Sequence, residues 1–255
     1  MSFDYFLNDR KAYIVHLLEK NGSITTEQVC AMFHIAPSTG RKLLKDMERE
    51  GLLIRTFGGA RCMDSGRDET LRRRLIANAR SKRAIAAAAR KHIKNGETVA
   101  FGGGTTVLQL AQLCRDAEHM IALTDALSTA EVLLKNPATE VRICSGIIQR
   151  KSACVIGPTA TDLFRKMDVD KVFLGADSIN TSGVFSNNLL VSEVERRMAD
   201  AAREVIILCD SSKLDMTSVV LTVPLSKVSL IITDRPEDLS FIRELEEQGV
   251  GVELV

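Results

Sequence analysis

The sequence predicts an α/β protein in two unequal parts: an N-terminal winged helix-turn-helix over residues 1–60, then a larger α/β domain over 75–255, joined by a linker at 61–74. Three observations carry this. A chain of 255 residues is too long for one small module. Its charge is uneven: residues 1–95 hold 19 Lys/Arg against 10 Asp/Glu, residues 96–255 hold 15 against 23, and the net charge is only +1. From residue 75 onward strand-like and helix-like segments alternate, as in a mainly parallel sheet covered on both faces.

Composition narrows the class. Apolar residues at 45% and charged residues at 26% allow a buried core and exclude wholesale disorder. No run approaches the roughly 18 uncharged apolar residues of a membrane span. The first ten residues carry Asp4 and Asp9 where a signal peptide would be basic and then apolar, so a cytoplasmic protein without membrane contact is expected. The cysteines at 30, 62, 114, 144, 154 and 209 lie far apart with no C-x-x-C pair, which argues against a zinc site and a disulfide framework. Neither metal nor cofactor is expected.

The first helix is marked by Ile14, Leu17 and Leu18, stopping at Asn21-Gly22. A second starts after Thr25, with Gln28 as capping-box partner, and buries Val29, Met32 and Phe33 before a turn at His34–Ala36. Pro37 opens a third helix, whose Leu44 and Met47 face the core and which Gly51 ends. Ser38, Thr39, Arg41, Lys42 and Lys45 form its polar face. Two short helices and a tight turn, the second helix rich in hydroxyl and basic groups, match a helix-turn-helix. Leu52–Phe57, Gly58-Gly59 and Ala60–Met63 add a hairpin wing. The basic excess suggests a polyanionic partner, although a solvated helix would carry the same charge. Much of that excess runs from Arg67 to Lys94, after the first compact segment, and the stretch from Arg72 through Arg73 and Arg74 to Lys94 is expected to form a basic helix that joins the domains and solvates itself.

The runs Ile24-Thr25-Thr26-Glu27-Gln28-Val29, Ser38-Thr39-Gly40-Arg41-Lys42, Glu48-Arg49-Glu50-Gly51-Leu52-Leu53 and Arg55-Thr56-Phe57-Gly58-Gly59-Ala60 resemble the winged N-terminal signature of the DeoR family of bacterial sugar-metabolism repressors. The resemblance implies binding to double-stranded operator DNA through Ser38, Thr39, Arg41, Lys42, Lys45 and, in the wing, Arg55. Four positions depart from the family: Gly40 stands for isoleucine, Leu43 for aspartate, Phe57 for histidine and Ala36 for a capping serine. Gly40 is expected to weaken its helix by roughly 1 kcal/mol, and the lost cap by a similar amount.

In the larger part, a helix through Lys94 leads to a strand at Thr98–Phe101 and a helix after Thr105. Further strands are expected near Ile121, Val141, Val172, Val205 and Val228, and helices near 126–134, 159–166, 192–202 and 236–248. Parallel sheets bind ligands in loops beyond the carboxyl ends of strands. Gly102-Gly103-Gly104-Thr105-Thr106 offers N–H groups and hydroxyls to a phosphate or to sugar oxygens, although a plain tight turn would also use the glycines. Thr124-Asp125, Ser145-Gly146, Gly175-Ala176-Asp177 and Asp210-Ser211-Ser212-Lys213 also fall at strand ends, the last suited to a phosphate monoester.

Lys171 to Asp177, with Gly104-Thr105-Thr106 before and Asp210 to Lys213 after, resembles the DeoR-family effector domain, which is related to ribose-5-phosphate isomerase. The resemblance implies a phosphorylated sugar or polyol effector. The strand-end loops and the resemblance together place effector contacts at Gly103, Gly104, Thr105, Thr106, Thr124, Asp125, Ser145, Gly146, Gly175, Asp177, Glu193, Asp210, Ser211, Ser212 and Lys213. Gly102 and Asp125 stand where the family has aspartate and asparagine, and a carboxylate at Asp125 would repel a phosphate. The isomerases carry further carboxylates after Gly-Ala-Asp, whereas Ser178 and Asn180 stand here, so no catalysis is expected. The combined expectation is an effector-gated transcriptional regulator, acting as a repressor and as a homodimer or homotetramer. The alternative is a sugar-phosphate isomerase-like enzyme with an appended DNA- or protein-binding module.

Overall fold

The computed structural model describes residues 10–11, 13–15, 17–18, 21–50, 52–61 and 74–255. It divides into two compact units between Arg80 and Ser81. The expected helix stop at Gly51, the wing end at Met63, and Arg67, Arg72 and Arg73 lie outside the described residues, as does the linker between Arg61 and Arg74.

In the first unit, helical backbone at the described positions between 10 and 21 buries Ile14, Val15 and Leu18. Gly22, at φ +75°, turns the chain out while its N–H donates to the Leu18 carbonyl at 2.8 Å. There follow β1 (Ser23–Thr25), α1 (Thr26–Phe33), α2 (Pro37–Arg49), β2 (Ile54–Thr56) and β3 (Gly59–Arg61). Both halves of the capping box form: Gln28 N–H donates to Thr25 Oγ1 at 3.1 Å, and Thr25 N–H to Gln28 Oε1 at 2.8 Å. His34 closes α1 in the left-handed region at φ 51°, and Pro37 opens α2 behind Ala36, which supplies no side-chain cap. Val29, Leu43, Leu44, Met47, Leu52, Leu53 and Ala60 fill the core, with Met32 and Phe33 half-buried against it. β3 lies between β1 and β2, making a three-stranded sheet. The strand Ser23–Thr25 is absent from the sequence reading because three residues show no periodicity.

The second unit is built on a seven-stranded parallel sheet, ordered β15 (Gly251–Leu254), β14 (Leu230–Thr233), β12 (Ala202–Leu208), β9 (Val169–Gly175), β4 (Thr98–Phe101), β5 (Ile121–Thr124) and β6 (Glu140–Ile143). Phe101, Phe173, Ile206 and Leu208 face one apolar cluster, and Ala100, Val172, Leu174 and Ile207 face another. Burial on both faces explains why these strands read as continuous apolar runs. The fourteenth strand runs Leu230–Thr233, since Val228 belongs to the turn before it. Three elements went unread: the edge strand β15, a hairpin of β7 (Ile147–Gln149) and β8 (Cys154–Ile156), and an antiparallel sheet of β10 (Ser178–Asn180), β11 (Gly183–Ser186) and β13 (Val220–Pro224).

The helix expected to reach Lys94 is α3, Ala79–Arg90. It stops early because the Arg90 guanidinium donates to the carbonyls of Ile93 (3.1 Å) and Leu113 (3.2 Å) and pairs with Asp116 at 3.0 Å. Lys82 is buried as well, so this helix does not simply solvate its charges. Five cysteines, Cys30, Cys114, Cys144, Cys154 and Cys209, are free thiols. Among the described residues no helix is long and apolar enough to cross a membrane.

Candidate functional site

The first unit presents one polar face. Along α2, Gly40, Leu43, Leu44 and Met47 are buried, so the helical period turns Ser38, Thr39, Arg41, Lys42 and Lys45 outward, and all five are exposed. The wing is tied to the same helix: the Arg55 N–H donates to Glu48 Oε1 at 2.9 Å, leaving the Arg55 side chain exposed. Lys11 and Glu50 pair at 2.6 Å and join the opening helix to the end of α2.

In the second unit, the strand order locates the cleft. The chain winds outward from β4 through β5 to β6, then returns to the other side of β4 as β9 and winds outward through β12, β14 and β15. The reversal falls between β4 and β9, and in such sheets the loops at the reversal diverge and leave a crevice beyond the carboxyl ends. Those loops are Gly102–Gly104 and Gly175–Asp177. They stay in register at their bases, where the Gly102 N–H donates to the Phe173 carbonyl at 3.0 Å. A Cβ on Gly175 would lie 3.6 Å from the Gly103 carbonyl oxygen.

Around this seam the structure gathers most of the residues read from the sequence. Gly104, at φ +113°, precedes α4 (Thr105–Leu113), and Thr105 and Thr106 are buried in its first turn. Lys213 Nζ donates to the Ala176 carbonyl at 2.6 Å, bringing the loop after β12 against the one after β9. That bond uses one of three ammonium donors. Ser212 Oγ bonds Asp210 Oδ1, and Ser211 is held by Asp234 through its N–H (2.7 Å) and hydroxyl (3.2 Å). The Asp177 carboxylate accepts the Asn187 N–H at 2.8 Å. Thr124 Oγ1 accepts the Ala126 N–H at 3.1 Å, which shapes the turn that carries Asp125.

Asp125 is the group out of balance. Its carboxyl is fully buried and poorly satisfied: only its own backbone and the Cys154 thiol stand near enough to donate to it. Burial pushes its pKa up to about 7, which its own backbone and the Cys154 thiol only partly offset. Cys154 is itself pushed well up, first by burial and then by the charges of Asp125 and Glu195. Burial and Asp125 together lift Cys144 to about 12. At neutral pH a carboxyl so raised is protonated in about half of the population, which lessens the repulsion of phosphate that its ionised form would exert.

Three expected contacts sit elsewhere. Glu193 is on the exposed face of α7 (Leu189–Ala201), because Val191, Val194, Glu195 and Met198 turn inward. Glu195 is the carboxylate at the seam: a Cβ on Gly102 would lie 3.3 Å from its Oε1. The signal was present, since 191, 194, 195 and 198 follow the helical period and 193 does not. Ser145 and Gly146 are exposed beyond the outermost strand β6, where the Ser145 carbonyl accepts the Thr159 hydroxyl at 3.1 Å. Cys154 also went unread. A Cβ on Gly103 would lie 2.6 Å from its Sγ, a proximity that a strand-by-strand reading does not reveal.

A winged helix-turn-helix followed by a parallel-sheet domain with polar loops around the crevice at its reversal defines a DNA-binding, ligand-sensing class of regulator. The DeoR-like helix-turn-helix model matches residues 10–66, and the DeoR C-terminal sensor domain model matches residues 77–235. The chain belongs to the DeoR family. It is 29% identical over 246 residues to the HTH-type transcriptional regulator GlpR of Haloferax volcanii, covering 96% of each chain. It is 28% identical over 251 residues to the HTH-type transcriptional repressor GlcR of Bacillus subtilis, covering 96% of this chain and 95% of that one. Among solved structures, ribose 5-phosphate isomerase A from Methanocaldococcus jannaschii aligns at a TM-score of 0.41 with 18% identity, over 54% of this chain and 55% of that one.

Proposed function

We propose that the chain is a transcriptional repressor of a carbohydrate-utilisation operon whose hold on double-stranded operator DNA is set by a phosphorylated sugar or polyol. The observation that supports it most directly is the row Ser38, Thr39, Arg41, Lys42 and Lys45, exposed together on α2 of a DeoR-family helix-turn-helix. Arginine and lysine at the start of a recognition helix reach guanine acceptors and phosphates, and hydroxyls serve either. In the sensor unit, Lys213 and the N–H groups opening α4 suit a phosphate, while Asp177, Glu195 and Asp125 suit sugar hydroxyls.

The coupling is linkage. An effector that binds better to the DNA-free arrangement lowers DNA affinity by a factor, and DNA lowers effector affinity by the same factor. Symmetric half-sites call for a homodimer or homotetramer. Catalysis is not part of this reading: Ser178 bonds Ser218 at 2.8 Å and Asn180 bonds Thr217 at 2.9 Å, so the positions after Gly-Ala-Asp are engaged in holding a loop and supply no base.

The test titrates a panel of phosphorylated sugars and polyols against the full chain bound to duplexes tiling the region upstream of its own gene. Release by one compound supports the proposal. Binding without response to any compound overturns the gating, and turnover of a sugar phosphate without DNA binding favours the enzyme.

A further inference from the structure

The wing carries a side chain that the family-level reading does not use. Phe57 stands at the apex of the two-residue loop between β2 and β3, where Thr56 pairs with Gly59, and it is fully exposed, at 108% of its reference area. Every other described phenylalanine is buried or half-buried. Exposing a whole benzyl group forgoes the burial that stabilises the other described phenylalanines, so its position calls for a reason.

The loop that holds it is fixed. The Gly58 carbonyl accepts the Thr26 N–H, the first of α1, at 2.8 Å. Gly59 pairs with Thr25, and a Cβ at Gly59 would stand 2.2 Å from the Ile24 carbonyl oxygen. With its backbone pinned on both sides, the turn holds Phe57 at its apex, where the ring stands in solvent away from the buried Ile24 and Ala60. Its neighbours Arg55, Thr56 and Gly58 are exposed and polar or bare, so the ring sits alone among groups suited to water and phosphate. A protein-docking surface would continue the apolar area, and this one does not.

We propose that Phe57 is an apolar wedge that enters the minor groove beside the site read by α2, parts a base step and bends the duplex. This rests on the DNA-binding reading above. Phenylalanine is among the residues that unstack base steps and kink DNA toward the major groove, and flexible pyrimidine–purine steps yield most readily. Arg55, two residues before the ring, is exposed on the strand leading to it and meets phosphate whether or not the duplex bends.

The test compares the full chain with its Phe57→Ala and Phe57→Leu variants on duplexes tiling the upstream region of its own gene. Bending is read by end-to-end energy transfer, and unstacking by 2-aminopurine placed at pyrimidine–purine steps. Phe57→Ala should bind about tenfold or more weakly, lose the bend and the 2-aminopurine signal, and leave the slope of log affinity against log salt unchanged, because no phosphate contact is lost. Phe57→Leu, still a wedge, should keep most of the bend. The proposal is overturned if Phe57→Ala binds and bends as the parent does, if the salt slope falls with it, if Phe57→Leu loses as much as Phe57→Ala, or if the alanine variant changes oligomeric state while DNA binding stands. Absence of parental binding to every duplex would overturn the DNA-binding reading along with it.

Discussion

Gly40 of the recognition helix lies directly against Cys30 of the helix before it: a Cβ at 40 would stand 2.6 Å from the cysteine sulfur. The sequence alone marks Gly40 as a weak point worth roughly 1 kcal/mol of helix stability. The structure shows why it is tolerated, since the missing methyl lets α1 and α2 close on each other. Gly40→Ala should therefore destabilise the full chain by about 1–3 kcal/mol in urea melts despite alanine's better propensity. Adding Cys30→Ala should recover most of the loss, which a double-mutant cycle reads as coupling. Additive effects of the two changes would refute the contact.

The exposed face of α2 separates two kinds of DNA contact. Lys42→Ala should weaken binding to all duplexes alike and lower the salt slope by about 1, whereas Arg41→Ala should cost about 1–3 kcal/mol and relax sequence preference. Filter-binding or anisotropy titrations at several salt concentrations distinguish them.

Asp125 ties stability to pH. Its folded pKa of about 7 lies above the unfolded value of 3.8, so the folded state keeps a proton that the unfolded state releases. The contribution is intact below about pH 4, falls as pH rises toward 7, and is flat above. Spanning about three pKa units, the loss is on the order of 4 kcal/mol. Asp125→Asn keeps the shape and cannot ionise, so the parent-minus-variant stability difference should slope downward between pH 4 and 7. A level difference would show that Asp125 titrates normally.

The two glutamates of α7 should behave oppositely. Glu195→Gln should raise the effector concentration needed to release DNA roughly tenfold, about what one hydrogen bond to a charged group contributes, while Glu193→Gln should leave it unchanged. Equal responses would remove Glu195 from the seam.

Lys171, in the central strand β9, forms a largely buried ion pair with Glu97. Lys171→Met should strand the Glu97 carboxylate and cost about 3–5 kcal/mol, more than the paired replacement Lys171→Met with Glu97→Leu. Chemical denaturation of both variants checks this ordering.

Much of this architecture was legible before the structure. The capping box at Thr25 and Gln28, Pro37 at the start of α2 and the apolar runs of β9 and β12 are local signals, and local signals survive in a linear reading. Strand–helix alternation likewise pointed to the sheet edge, because topology fixes where strand ends go. What escaped depended on contacts distant in sequence. Cys154 reaches Gly103 from another hairpin, and Ser23–Thr25 becomes a strand only because Gly59–Arg61 lies beside it. Glu195 escaped for another reason: the family pattern drew attention to 193 while the helical period pointed to 195.

The close approach of Gly59 to the Ile24 carbonyl has a practical corollary for engineering. Because the hairpin is stitched to the segment ahead of the first recognition element, operator specificity will not transplant by exchanging the reading helix or the wing separately. A functional graft must carry Ser23 through Arg61 together with the helical segment that packs Ile14, Val15 and Leu18 against it, and any side chain at position 59 would have to displace the Ile24 carbonyl.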